Sequence, residues 1–183
     1  MTVTGTNPTT AAGQYGAGFT TPSGSYHVIP DPFPTSIGSM FSVLKVPTPV
    51  GGAGTGIGTK LDVAGTRWGA HFPFGDATVY FDIGTSGGRV SYAGHTWGGW
   101  DCWALTNGPA NGQRIWLNGL SVASAAERTG KSGTDADGFG PCGVFNGTSN
   151  IDISTAVIAT WNRELTPNEI AALCADPFCM LRV

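Results

Sequence analysis

One stretch in the middle of the chain combines side chains that could bind a sugar. It reads His95-Thr96-Trp97-Gly98-Gly99-Trp100-Asp101. Sugar recognition uses an aromatic ring as a stacking platform, together with a few polar groups that fix orientation. Trp97 lies among glycines in a predicted loop, so it is the candidate platform, and His95 and Asp101 are the candidate polar groups. The remaining tryptophans are expected to pack in the core or at an interface.

The carboxylates form no recognisable catalytic set. Retaining glycosidases use two carboxyl groups ~5–5.5 Å apart, whereas glutamate occurs here only at positions 127, 164 and 169. Glu169 is needed for a helix cap, as described below. Asp76 and Asp82 could share a strand face, but no glutamate lies between them. The sequence therefore predicts a protein that is not an enzyme.

No cofactor is predicted, and calcium is the one weak alternative. Asp135 and Asp137 lie in Gly133-Thr134-Asp135-Ala136-Asp137-Gly138, which superficially resembles a calcium loop. The liganding glutamate of such loops is missing, so an ordinary glycine-rich turn is favoured. The cysteines, Cys102, Cys142, Cys174 and Cys179, are too irregularly spaced for a zinc site and are expected to be free apolar fillers. A Cys174–Cys179 pair is the alternative, and a predicted helix makes its geometry doubtful.

Composition narrows the class of protein. Charged residues make up 11% of the 183 residues, while glycine (29) and proline (12) are abundant, which favours an all-β fold with tight turns. The net charge of −3 gives no basic footprint for nucleic acid. No apolar run approaches the ~20 residues that span a bilayer. Residues 1–24 lack the features of a signal peptide, so synthesis in a reducing cytoplasm is expected.

The element that must position these residues is a β-hairpin. Asn118-Gly119 separates Arg114–Leu117 from Leu120–Ser124, and a two-residue Asn-Gly loop is typical of a type I′ turn. Strand alternation then places Ile115 and Leu117 on one face, with Leu120 and Val122 as candidate partners. Arg114 and Trp116 point to the opposite face.

Further strands and one helix complete a single domain. Met40–Val46 is the most continuously apolar strand and is predicted to be central. In Ala77–Ile83, Val79, Phe81 and Ile83 alternate with Thr78, Tyr80 and Asp82, and Gly84–Gly88 turns the chain. Thr166, Pro167 and Glu169 form a capping box that begins a helix, which ends at Asp176-Pro177. Together, these strands and the helix predict an all-β, two-sheet antiparallel sandwich over residues 25–183. Residues 1–24 are interpreted as an extended arm, with a linker or an edge strand as alternatives.

Three segments carry a family resemblance. Trp100–Thr106, Arg114–Ser124 and Ile158–Phe178 occur in the order and pattern of the laminin G-like, concanavalin A-like jelly-roll family, in its bacterial and bacteriophage branch. The resemblance implies an all-β jelly-roll sandwich in which Trp100 packs between the sheets. Relatives often carry two histidines after this tryptophan, where this chain has Asp101 and Cys102. Any role tied to those histidines is therefore not implied here.

The resemblance implies a bacteriophage virion protein, most directly a head decoration or cement protein. Such a protein would dock on a major capsid or tail protein through its loops and N-terminal arm, and it could form a homo-oligomer. Candidate interface aromatics are Trp116, on the expected outer face, with Tyr15 and Phe19 in the arm. The alternative is a carbohydrate-binding attachment module of a tail or fibre that contacts a surface glycan.

Overall fold

The structure is a computed structural model that describes residues 2–4, 9–13, 16–21, 26–48, 56–59, 65–136, 138–141 and 152–181. In chain order its elements are β1 (Thr2–Thr4), β2 (Thr9–Gly13), β3 (Gly16–Thr21), β4 (Tyr26–Val28), β5 (Gly38–Lys45), β6 (Gly56–Thr59), β7 (Arg67–His71), β8 (Val79–Tyr92), β9 (Trp100–Asn107), β10 (Gln113–Leu117), β11 (Leu120–Ala125), β12 (Phe139–Pro141), β13 (Ile153–Trp161) and α1 (Pro167–Ala175), followed by a 3-10 turn, Cys179–Leu181.

The strands form antiparallel sheets that face one another, which confirms the predicted sandwich. One sheet has the order β11-β10-β9-β5-β13-β3-β2, and the other has the order β12-β6-β7-β8. β1 pairs with β4, and a bridge between Ile29 and Phe139 joins that pair to β12. β5 lies between β9 and β13, so the most apolar strand is central, as predicted.

Aliphatic and aromatic side chains together fill the space between the sheets, and two tryptophans are the largest of them. Trp68 and Trp103 are 0% and 1% exposed. The ring of Phe33 stacks on Trp68 with centroids 3.9 Å apart, and the Trp68 indole N–H donates to the Ser36 carbonyl. Both tryptophans come from strands that alternate between the core and the outer face. The sandwich core is therefore built around Trp68 and Trp103.

A second apolar layer lies on the outer side of the seven-stranded sheet, beneath α1. The capping box forms as predicted: the Thr166 hydroxyl accepts from the Glu169 N–H, and the Glu169 carboxylate accepts from the Thr166 N–H. Ile170 and Leu173 of the helix are buried there. They pack with residues of β5, β9 and β10, namely Phe41, Val43, Cys102, Ala104 and Trp116.

This layer corrects two expectations about tryptophans. Trp100 packs against the helix-side layer and not between the sheets, and Trp103 holds the central position. Trp116 lies on the face opposite Ile115, as predicted, but it is 5% exposed and its indole N–H donates to Thr106. Because the helix covers this face, Trp116 is not an exposed interface residue.

The Asn-Gly hairpin forms where the sequence predicts it. Asn118 and Gly119 have φ values of 50° and 85°, as a type I′ turn requires. Leu117 pairs with Leu120, but a bulge after Ile115 shifts the register. Val122 still packs against the core, whereas Leu120 is 72% exposed. Leu120 is thus the cross-strand partner of Leu117, as predicted, although it is exposed, whereas Ile115 pairs with Ala123 and not with Val122.

The segment interpreted as an arm contributes strands to the sandwich. β3 pairs with β13, β2 pairs with β3, and β1 pairs with β4. Of the alternatives for residues 1–24, an edge strand describes β2, which is the last strand in the order of its sheet. Phe19 lies on β3 opposite Thr155. Tyr15 lies outside the described residues.

The loop that resembled a calcium site is organised by a lysine. The Lys131 ammonium contacts the Asp31 carboxylate at 2.8 Å and the carbonyl oxygens of Thr66 and Gly133 at 2.5 and 3.0 Å. Both charged side chains are fully buried. Asp31 also accepts from the Asp135 N–H, which fixes the loop. An ammonium group thus occupies an oxygen-lined position of the kind that suits a cation, and Asp137 lies outside the described residues.

We expect that calcium removal will not affect stability. The Asp31 carboxylate already has a positively charged partner, and no cluster of metal-ligating side chains occurs among the residues that the structure describes. Thermal unfolding with a chelator and with added Ca²⁺ checks this. A melting temperature several degrees lower in the chelator would contradict it.

None of the three described cysteines, Cys102, Cys174 and Cys179, is in a disulfide bond. Cys102 is buried, as a filler should be, and its thiol lies 3.8 Å from the Cys174 carbonyl oxygen. A hydrogen bond with the Cys102 thiol, together with burial, raises the pKa of Cys174. Cys179 is exposed and Cys142 lies outside the described residues.

Among the residues that the structure describes, no helix has the length and hydropathy of a membrane-spanning segment.

Candidate functional site

The structure brings the predicted sugar-binding residues together. His95 Nε2 lies 3.1 Å from Asp101 Oδ2, and the Asn118 amide donates to Asp101 Oδ1 at 3.0 Å. The Asn118 side-chain oxygen also accepts from the Cys102 N–H at 2.9 Å. Burial tends to raise the pKa of Asp101, but the hydrogen bonds from His95 and Asn118 outweigh it and hold that pKa below its ordinary value. The cluster therefore joins the hairpin turn to the start of β9.

Trp97 lies against the core. Its ring is parallel to Trp103 with centroids 6.0 Å apart and contacts the His95 ring edge-on at 4.5 Å. The indole N–H is buried and has no hydrogen-bond partner among the residues that the structure describes. The His95 and Asp101 side chains are only 9% and 16% exposed. Most of the hydrogen-bonding and stacking capacity of this group is thus directed inward, to other residues of the chain.

We expect Asn118→Ala to lower the free energy of unfolding by about 1–3 kcal/mol, the usual cost of removing one partner of a buried hydrogen bond. The change removes the side-chain oxygen that accepts from the Cys102 N–H and places alanine at a φ of 50°. Urea unfolding measures the loss. Asn118→Gly accepts the backbone conformation but also lacks the side chain, so the difference between the variants separates the two causes. Unchanged stability in both would contradict this role.

A second cluster of aromatic and charged side chains lies on the outer face of the four-stranded sheet. Trp68, Ala70, Val79, Phe81 and Ile83 point into the core, so the alternate residues of β7 and β8 point outward. His71 and Tyr80 form a cross-strand pair on that face. Phe74, in the turn between the strands, contacts both rings edge-on, with centroids 5.0 Å from His71 and 5.8 Å from Tyr80. It is 49% exposed.

An ion-pair network lies beside these rings. Asp82 is fully buried and binds Arg89 through two bonds, Nε–Oδ1 at 2.6 Å and Nη2–Oδ2 at 2.8 Å. Arg67 approaches the same carboxylate at 3.4 Å. His71 lies 3.8 Å from it, and burial lowers the pKa of His71 to about 4 despite that neighbour. His71 is therefore neutral at physiological pH.

A second carboxylate, Asp76, completes the group. It accepts from the Tyr80 hydroxyl at 2.6 Å and from the Thr78 N–H at 3.0 Å. Slight desolvation raises the pKa of Asp76, but these hydrogen bonds outweigh it and lower the pKa overall. Asp76 is exposed. We refer to Phe74, Asp76 and Tyr80, with His71 and Arg89 beside them, as the Phe74 face.

The two carboxylates of this region, Asp76 and Asp82, differ in their access to solvent. Asp82 is buried beneath its ion pairs, so it cannot reach a substrate as the partner of Asp76. Gly84-Thr85-Ser86-Gly87-Gly88 has the spacing of a nucleophile elbow, which sequence reasoning missed. That motif requires a strand-to-helix turn, whereas here the segment lies within the strand β8, where Gly88 approaches the Ile83 carbonyl closely.

The sequence predicted the positions of some residues of the Phe74 face and its neighbour Asp82. The alternation in Ala77–Ile83 correctly placed Tyr80 and Asp82 on the side opposite Val79, Phe81 and Ile83. It did not identify Phe74, because a turn residue has no periodic partner. The Ala77 N–H donates to the Phe74 carbonyl and the Phe74 N–H to that of Thr78, both at 2.9 Å, so a tight turn sets its position.

Comparisons with solved structures give the fold its wider context. The botulinum neurotoxin type C structure, determined in work on its interaction with two ganglioside molecules, matches 95% of this chain and 46% of its own, with a TM-score of 0.67 and 13% identity. The binding domain of Paraclostridial Mosquitocidal Protein 1 matches 97% and 48%, with a TM-score of 0.65 and 12% identity. Trypanosoma rangeli sialidase matches 89% and 28%, with a TM-score of 0.66 and 14% identity.

The chain thus spans about half the length of the toxin chains and less of the sialidase. No protein-family model matches the sequence, and no curated protein matches it. At such low identity the likeness concerns the fold alone. The order of the strands, the two facing sheets and these neighbours together establish that the chain has a concanavalin A-like jelly-roll sandwich fold.

Proposed function

We propose that this chain is a non-catalytic glycan-binding module and that the Phe74 face is its binding site. The observation that carries the proposal is an aromatic ring that is half exposed yet held by two neighbouring rings, beside an exposed carboxylate. Sugar sites need this combination of a fixed apolar surface and a few polar groups. The Phe74 face replaces the His95, Trp97 and Asp101 group as the favoured site.

The fold supports the proposal in a general way. The toxin in the comparison interacts with gangliosides, which are glycolipids, and the mosquitocidal protein match is a binding domain. A sialidase shares the fold too, so fold alone does not separate binding from hydrolysis. The distinction between binding and hydrolysis rests on the carboxylates. Asp82 is buried in an ion pair with Arg89, and Asp76 accepts a hydrogen bond from Tyr80.

We expect Phe74→Ala to weaken glycan binding about tenfold or more, which corresponds to about 1.4 kcal/mol. The change removes the exposed ring while leaving the strands in place. A glycan array followed by titration of the best ligand measures the effect. Wild-type protein that binds no glycan on a broad array would overturn the proposal.

Two variants make the test specific. Leu120→Ala removes another exposed apolar side chain, on the other sheet, and should leave binding unchanged. Phe74→Leu keeps an apolar side chain of similar bulk but lacks the aromatic ring, so it should bind weakly while retaining the wild-type melting temperature. Equal binding by wild type and Phe74→Leu would show that the ring is not the platform.

The second candidate function is a virion structural role. In that role the chain would be part of the particle and would contact other virion proteins. It is favoured by β2, which pairs only with β3 among the described residues and thus has one edge available for an added strand. Purification of intact particles tests this candidate through the copy number of the chain relative to the major shell protein. High copy number supports decoration, a few copies support a tail or fibre, and none contradicts the role.

A further inference from the structure

We infer that the Phe74 face selects neutral glycans over their sialylated counterparts. This inference rests on the proposed function and adds the chemical class of its ligand. It follows from where the charged groups of the face are directed. One carboxylate is directed to solvent, whereas the cations are directed to a buried partner.

The platform is held in one position before any ligand arrives. Phe74 begins a turn closed by two backbone hydrogen bonds, one of them from its own N–H to the Thr78 carbonyl. Its ring meets His71 and Tyr80 edge-on, at interplanar angles of 80° and 79°. A ring fixed in this way loses little conformational entropy when an apolar sugar face packs against it.

The exposed polar group that Tyr80 links to this ring is an anion. Tyr80 contacts the Phe74 ring and also donates its hydroxyl to Asp76, so a ligand on Phe74 would lie within reach of that carboxylate. Each carboxylate oxygen can accept more than one hydrogen bond. Asp76 can therefore accept from the hydroxyl groups of a neutral sugar, but it repels a carboxylate in the same place.

The two guanidinium groups of this region are directed to another carboxylate. Arg89 forms two short bonds to the buried Asp82 carboxylate, its guanidinium carbon lies over the Tyr80 ring, 4.4 Å from the centroid, and its side chain is 33% exposed. Arg67 is directed at the same carboxylate and its side chain is 15% exposed. His71 is neutral at physiological pH because burial lowers its pKa to about 4. A sialic acid carboxylate would therefore meet the exposed Asp76 carboxylate, while both guanidinium groups already bind Asp82.

The test is a glycan array that carries neutral oligosaccharides and the sialylated form of each, followed by calorimetric titration of the strongest pair. A like-charge pair about 6 Å apart in water changes affinity about threefold. We therefore expect each sialylated member to bind at least about threefold more weakly. Equal or tighter binding of the sialylated member would overturn this inference and leave the proposed function standing. Binding to no glycan would overturn the proposed function itself.

A pair of charge variants locates the selectivity. Asp76→Asn removes the negative charge and keeps an amide oxygen that can accept from the Thr78 N–H, so it should raise the affinity for the sialylated member about threefold. Glu169→Gln removes a negative charge from α1, on the other side of the sandwich, and preserves a capping residue. It should leave the ratio unchanged. A ratio that Asp76→Asn does not alter would overturn the role given to Asp76.

Discussion

Replacement of Lys131 by methionine is expected to lower the free energy of unfolding by about 3–5 kcal/mol. The change leaves the Asp31 carboxylate buried without its positive partner, and it removes the donor to the carbonyl oxygens of Thr66 and Gly133. An uncompensated buried charge costs far more than the pair contributes when intact. Denaturant unfolding of the variant measures the loss.

The control is a second change that removes the buried charge. Lys131→Met combined with Asp31→Asn should recover part of the stability, because the buried charge is then absent and the single asparagine oxygen can still accept from one of the two N–H groups, that of Phe33 or that of Asp135. A double variant as unstable as Lys131→Met alone would show that packing, and not charge, causes the loss.

Replacement of Trp103 by alanine is expected to cost about 3–5 kcal/mol, the usual range for a large buried aromatic residue. Trp103 contacts Phe72 at 5.2 Å, Tyr92 at 6.4 Å, His95 at 5.0 Å and Trp97 at 6.0 Å between ring centroids. Its loss would leave a cavity between the sheets and would also release Trp97 and His95. Thermal and urea unfolding measure the effect.

Trp100→Ala is the matched control, because it removes the same side chain from the same strand. Trp100 is half-buried on the helix side of β9, so its loss should cost clearly less. Near-equal losses would contradict the assignment of Trp103 as the central tryptophan. The comparison also bears on Trp97, whose packing on Trp103 means that Trp97→Ala should lower stability whatever its effect on ligands.

The Phe74 face makes the function testable at the surface without disturbing these interior contacts. Phe74 is half exposed, so its replacement should change binding more than stability. The His95, Trp97 and Asp101 group is the reverse case, because its side chains mostly contact each other and the core. A binding loss in a Trp97 variant would therefore need a stability measurement before it could be attributed to a sugar.

The sequence by itself determined the features that depend on neighbouring residues. The Asn118-Gly119 turn follows from two adjacent residues that accept positive φ, and the helix start follows from Thr166, Pro167 and Glu169 within one turn. The central position of β5 follows from its continuous apolar run. Alternation along β8 correctly separated Tyr80 and Asp82 from the core-facing residues.

Tertiary structure alone decided the features that join distant parts of the chain. A period of two groups Trp100 with Cys102 and Ala104, but it does not say which face the other sheet covers and which the helix covers. Lys131 and Asp31 are 100 residues apart, so no local pattern pairs them. Phe74 gains its place from a turn and from rings on two strands. Burial and charge pairing arise only when the sheets and the helix pack together, and they decide which side chains remain free to meet a ligand.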